Sequence, residues 1–371
     1  MHKISTRNFA LDFLKIFATF AIVFHHYQQI SGVYFTNHLN FYGSRFNWGY
    51  MVELFFILSG YFMRKHISQI SNGDYSLGAW LGRKAKRLLP LVAVSAICYE
   101  GINVIYTQVF GKYFFFDRAF TIWGVIITAL GIQTGGVFVN PFVNNPTWYI
   151  SVLLICYLAF YLFTRLSGKL RCSAIYFYIA MILLGFAITT YEIQLPFLNA
   201  YTARGYKSFF CGLLLARYTN SYGITKKESF ISAFVIAFLC CFFALKPRYL
   251  LRELDNILCF IFYPSIIILC ETKFVKKIFC YSFWGIWSQI SFNVYIWHLP
   301  LYPLVSVVVN WLGIHPDISQ VSTMYAYLIL AELIGAFSFY HIEQPLNRLV
   351  DHILVELKCR RQNCQINQMG K

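Results

Sequence analysis

A chain of 371 residues that is 58% hydrophobic, 20% aromatic and only 12% charged, with a mean hydropathy of +0.56, lies outside the composition of a soluble globular domain. It reads instead as an all-α, polytopic integral membrane protein surrounded by membrane lipids, with no stretch left over for a sizeable soluble domain. The net charge of +16 does not imply a nucleic-acid partner, because Lys and Arg gather in short loops such as "RKAKR" (83–87) and "TKFVKK" (272–277), where charge sets membrane orientation.

The first apolar run, "ALDFLKIFATFAIVFHHY" (10–27), carries Asp12 and Lys15 near one end and His25 and His26 near the other. Its basic start resembles a signal peptide, but no A-x-A-like site follows, so it is expected to be a retained first span over 9–30. On a helix, Lys15 and His26 lie about 20° apart around the axis and about 16 Å apart along it, and therefore share a face. His25 lies about 80° from Lys15, so of the two histidines His26 belongs to that face. Ionisable groups within a span are a functional hypothesis by default. The plainer alternative is that Lys15 snorkels to one interface and the histidines anchor the other.

The second span, 49–66, contains "VELFFILSGYFM" (52–63), in which the carboxylate of Glu53 precedes an apolar run and then Ser-Gly, a pair that permits close helix packing. The next begins after "RKAKRLLP" (83–90). Arg83, Lys84, Lys86 and Arg87 there are either an inner-face anchor or a site for a phosphorylated ligand, since clustered cations suit phosphate oxygens. Segment 113–146 has a short apolar run followed by Gly, Asn and Pro, which fits either an eleventh span or an interfacial or re-entrant loop, and the Lys and Arg bias, which an eleventh span would spoil, favours the loop.

Further spans are expected at 147–165, opened by Trp148, and at 172–191, 206–222, 229–246 and 255–271. In the ninth, 283–309, the stretch "ISFNVYIWHLP" (290–300) spaces Ser291, Tyr295 and His298 as one polar stripe ahead of Pro300. The tenth, 322–342, ends in "FYHIEQPLNRL" (339–349), where Glu343 is an unusual choice beside a membrane boundary. With the third span at 88–109, ten spans put most of the 31 Lys and Arg on the side of both termini, which are therefore expected in the cytoplasm. The expected organisation is a membrane domain over 1–347 and a polar cytoplasmic tail over 348–371. Most of the eleven cysteines lie in apolar runs without metal-ligand spacing, so they read as small apolar residues and no metal is expected.

Together these pieces resemble the acyltransferase-3 family, multi-span membrane acyltransferases that mostly O-acetylate bacterial surface polysaccharides. The resemblance runs from about residue 8 to 347. Its motifs fall on Asp12, Lys15 and His26; on Glu53, Phe55, Phe56, Ser59, Gly60 and Tyr61; on Lys84, Arg87 and Pro90; on Trp148; on Ser291, Tyr295, His298 and Pro300; and on Glu343 and Pro345. Lys15 and Lys84 stand where arginine is common in the family, and Leu153 near where many members carry a glutamate.

The resemblance implies an O-acetyltransferase of a bacterial cytoplasmic membrane. Its donor would be acetyl-CoA, bound through its phosphates by Arg87, Lys84, Lys15 and Arg83. His26 would be the catalytic histidine, as general base or as acyl carrier. Asp12, Glu343 or Glu53 would orient the imidazole or the basic groups. Trp148, Tyr295, His298, Ser291 and Glu53 would face the acceptor, a surface polysaccharide or its lipid-linked precursor. A proton-coupled transporter or flippase of such a precursor is the alternative for a charged, histidine-bearing face.

Overall fold

The computed structural model describes residues 7–36, 40–43, 47–114, 121–136, 143–245, 254–354 and 356. Its regular structure among these is helical, apart from an isolated bridge between Leu195 and Leu198. The chain opens with α1 (Phe9–Ser31), capped by the side chain of Asn8 and closed by Gly32, whose φ of 67° is a left-handed conformation that favours glycine. Next come α2 (Met51–Phe62), which passes through a 3-10 turn into α3 (Ile67–Asn72), and the 34-residue α4 (Leu77–Phe110). Then follow α5 (Ile122–Leu130), α6 (Trp148–Leu170), α7 (Ile175–Thr190), α8 (Ala200–Tyr222) and α9 (Lys226–Leu245). The last part holds α10 (Leu254–Ile257), α11 (Tyr263–Glu271), α12 (Lys273–Ile278), α13 (Phe283–Trp311) and α14 (Val321–Ser338).

Among the described residues, six helical stretches are long and apolar enough to cross a membrane: Phe9–Ser31, Leu77–Phe110, Asn145–Leu170, Leu254–Glu271, Phe283–Trp311 and Val321–Leu354. Four other expected spans fall on α2, α7, α8 and α9, which are helical; α2 and α7 are shorter and α8 is more polar, while α9 carries Lys226, Lys227 and Glu228 in its first turn. For α2 and α8 the physical reason is burial: both are packed largely against protein, so they need not offer lipid a continuous apolar surface. Within 113–146, α5 has nine residues and reaches only about 13 Å, too short to cross on its own, and it packs beside α4. The last long helix runs on to Leu354, past the expected start of the tail, and Asp351 on it pairs with Lys86.

Helices α2 and α8 approach each other closely. A Cβ at Gly60 would lie 2.0 Å from the Phe209 carbonyl oxygen, and one at Gly212 would lie 2.1 Å from that of Ile57. Each helix thus presses a glycine against the other's backbone, the small-residue packing expected of the Ser-Gly pair. Gly60→Ala is therefore expected to destabilise the protein by about 1–3 kcal/mol through overpacking, read as a lower unfolding temperature in detergent.

A proline explains another contact. Pro300 lies inside α13 and cannot donate to the Ile296 carbonyl four residues earlier. That carbonyl accepts instead from Asn144 Nδ2 at 2.9 Å, and the same amide reaches Ser95 Oγ at 3.1 Å. The fully buried Asn144 so ties the start of α6 to α13 and α4, fixing the helix that carries His298. The nine cysteines among the described residues are free thiols; Cys156, Cys211, Cys259 and Cys270 are buried, whereas Cys98, Cys240 and Cys241 are exposed on helix surfaces.

Candidate active site

Two polar groups sit along α1. At its start, the buried Asp12 carboxylate accepts from Arg7 Nε at 2.5 Å, Lys15 Nζ at 3.2 Å and Ser288 Oγ at 2.9 Å. Lys15 also lies over the Phe62 ring at 4.6 Å. Arg87 is exposed and within electrostatic reach of Lys15, Lys84 and Glu343. Lys84 lies over the rings of Trp80 and Tyr157, at 4.6 and 4.7 Å. Arg83 is turned aside: it bonds its own helix at the Ala79 carbonyl and stacks on Tyr75 at 4.1 Å.

Glu343 belongs to this basic end. It lies in a π-helical turn, Phe339–Glu343, a distortion often found at functional sites. Asn293 Nδ2 donates to it at 2.5 Å, Ser338 Oγ donates to Asn293 Oδ1 at 2.8 Å, and Trp297 Nε1 donates to Ser338 at 2.7 Å. Asp12 precedes His26 by 14 residues, or about 21 Å of helix. Of the two roles expected for Asp12, orienting the imidazole or orienting the basic groups, its contacts match the second.

The second group is a set of three imidazoles. The His26 ring lies 5.0 Å from that of His25 and 5.1 Å from that of His298, centre to centre. His26 Nδ1 bonds Gln29 Oε1 at 2.8 Å, which places the proton on Nδ1 and leaves Nε2 a lone pair. His298 Nδ1 donates to the Tyr295 carbonyl at 2.7 Å, and its Nε2 is fully buried without a partner. An orphaned buried acceptor beside a second imidazole calls for a proton or a ligand group between them.

The remaining expected residues divide. Tyr295 donates to the Pro146 carbonyl at 2.7 Å and Ser291 to the Ser288 carbonyl at 2.9 Å, so both hydroxyl protons are committed to backbone. Glu53 and Trp148 are brought together by Arg204, which the sequence reading did not single out. Its Nε and Nη2 meet Glu53 at 2.5 and 2.9 Å, and its guanidinium lies 4.8 Å over Trp148. The available signal was complementarity: a buried-span glutamate needs a cation, and Arg204 and Lys207 flank an apolar run in "TARGYKSFF" (202–210).

Neither a curated protein nor a solved structure gives a match to this chain. The acyltransferase-3 family model, described as an acyltransferase domain, matches residues 8–341. That interval holds α1 with its paired basic and imidazole ends, the Glu53 and Trp148 partners of Arg204, and the His298 stripe. It also stops just short of Glu343, leaving the Glu-x-Pro ending beyond the match. With nearly its whole length covered, this multi-pass membrane protein belongs to the acyltransferase-3 family.

Proposed function

We propose that the chain is an O-acetyltransferase of a bacterial cytoplasmic membrane, moving an acetyl group from acetyl-CoA to a hydroxyl of a surface polysaccharide or its lipid-linked precursor. The supporting observation is the division of α1: a basic cluster at its start, and at its far end the His26 imidazole, whose ring lies 5.1 Å from that of His298 with its unpartnered Nε2. In this reading the chain has ten spans with both termini in the cytoplasm. The phosphates of acetyl-CoA meet Arg87, Lys84 and Lys15 from that side, with Asp12 fixing the ammonium of Lys15.

The pantetheine arm of the donor extends toward His26. His26 Nε2 takes the proton of the acceptor hydroxyl as its oxygen attacks the thioester carbonyl, and that proton then protonates the departing CoA thiolate. The Gln29 bond holds the ring in the tautomer this needs, and His298 Nε2 offers the proton a second resting place across the ring pair.

Consumption of acetyl-CoA by the purified protein, together with proton NMR of polysaccharide from a complemented deletion host, tests the reading. Thioester loss with a restored O-acetyl signal is expected. A wild type that consumes no thioester would return the chain to the carrier class. Arg87→Gln is expected to raise KM for acetyl-CoA about 10–100-fold while shifting kcat less, since a hydrogen bond to a charged phosphate is worth about 1.5–3 kcal/mol.

A further inference from the structure

A cleft of about 510 Å³ opens at the imidazole end of the bundle, between α2, α7, α8 and α10. Two ion pairs joining different helices line it. One is Glu53 with Arg204; the other is the buried Lys207, whose Nζ donates to Asp255 Oδ2 at 2.7 Å and to Asn256 Oδ1 at 3.1 Å. His25 borders the same space. Its Nδ1 bonds the Phe41 carbonyl at 3.1 Å, so Nε2 is an acceptor, and a Cβ added at Gly49 would come within 3.1 Å of it.

The chemistry of this lining selects a class of ligand. Each cation is already matched by a carboxylate, so among the described lining residues no unpaired cation is left for a phosphate or a uronate. The pairs still hold unused capacity: the Nη1 donors of Arg204, a third ammonium proton on Lys207, and spare lone pairs on both carboxylates. Glu192 adds a third carboxylate to the lining, which further disfavours an anionic ligand, and the closely spaced donors and acceptors suit hydroxyl groups, which both donate and accept. The volume lies within the range of small-molecule sites, about 300–1,000 Å³. The cleft sits beside His25, whose ring adjoins that of His26.

We infer that this cleft binds a neutral oligosaccharide segment, its hydroxyls gripped by the Glu53–Arg204 and Lys207–Asp255 pairs. The identity of the ligand as a sugar acceptor rests on the acyltransfer reading above; the cleft and its preference for an uncharged polyol rest on the lining. The segment it holds places a neighbouring hydroxyl toward the imidazole pair.

The test is saturation-transfer NMR on the purified full chain in lipid nanodiscs. The probes are oligosaccharides released from the host's surface polysaccharide and separated into neutral and acidic pools. Expected are binding of the neutral pool, at least tenfold weaker binding of the acidic pool, and a Kd for the neutral pool raised at least tenfold by Lys207→Met. Thr189→Trp provides a second variant, because Thr189 is an exposed cleft residue and belongs to neither ion pair, so its indole fills cleft space and leaves both pairs chemically intact; it is expected to remove binding while gel filtration stays unchanged. Equal or tighter binding of the acidic pool, no binding by either pool, or unchanged binding by Thr189→Trp overturns the inference. Acetyl-CoA consumption on the same sample reads acyl transfer separately. Neutral binding without thioester loss keeps the cleft and removes the acyltransferase reading, and thioester loss without neutral binding does the reverse.

Discussion

His26→Ala is expected to lower acyl transfer by about 10²–10⁴-fold, the usual contribution of a positioned acid–base group. The polysaccharide O-acetyl signal should then vanish at unchanged membrane abundance. The size of the effect follows from geometry: the imidazole holds its proton at Nδ1 toward Gln29 and keeps Nε2 for chemistry, beside His298. His25→Ala is the contrasting variant. It loses one bond to the Phe41 carbonyl, worth about 1 kcal/mol, and an edge of the cleft, so a reduction of roughly fivefold is expected rather than abolition. Full transfer by His26→Ala, measured at equal abundance, would remove the imidazole from the chemistry.

Arg204→Met is expected to cost about 3–5 kcal/mol of stability. Glu53 is 2% exposed, so deleting its bidentate partner leaves a buried carboxylate without a countercharge. The stranded charge, more than the lost contact, sets the magnitude. Replacing both partners by apolar side chains, as in Glu53→Leu with Arg204→Met, is therefore expected to recover much of the loss. Thermal unfolding of the wild type, the single variant and the double variant in nanodiscs checks this. A single variant as stable as wild type would show that Glu53 does not depend on Arg204.

Some of the architecture was legible from local pattern alone. Apolar runs of membrane length announced the helices, because hydrocarbon demands that every backbone polar group be satisfied within its own segment. The shared face of Lys15 and His26 was equally readable, since about 100° and 1.5 Å per residue are properties of one helix and need no neighbour. The Ser-Gly pair also carried its meaning locally: a residue without a side chain in an apolar run marks a place where another backbone comes close, and Gly60 meets the Phe209 carbonyl.

What each polar residue does was settled elsewhere. Ser291, Tyr295 and His298 form one stripe by spacing, yet the first two donate to backbone carbonyls and only His298 keeps an unpartnered atom. Asp12 and His26 belong to one span, but Asp12 spends its oxygens on Arg7, Lys15 and Ser288. Arg204 and Lys207 find their partners Glu53 and Asp255 only where α8 meets α2 and α10. The sequence by itself determined the membrane class, the helical runs and the faces of single helices, since these follow from solvent and helix period. Tertiary packing alone decided the partners, because a hydrogen bond or ion pair between helices depends on which faces meet, and no one segment carries that information.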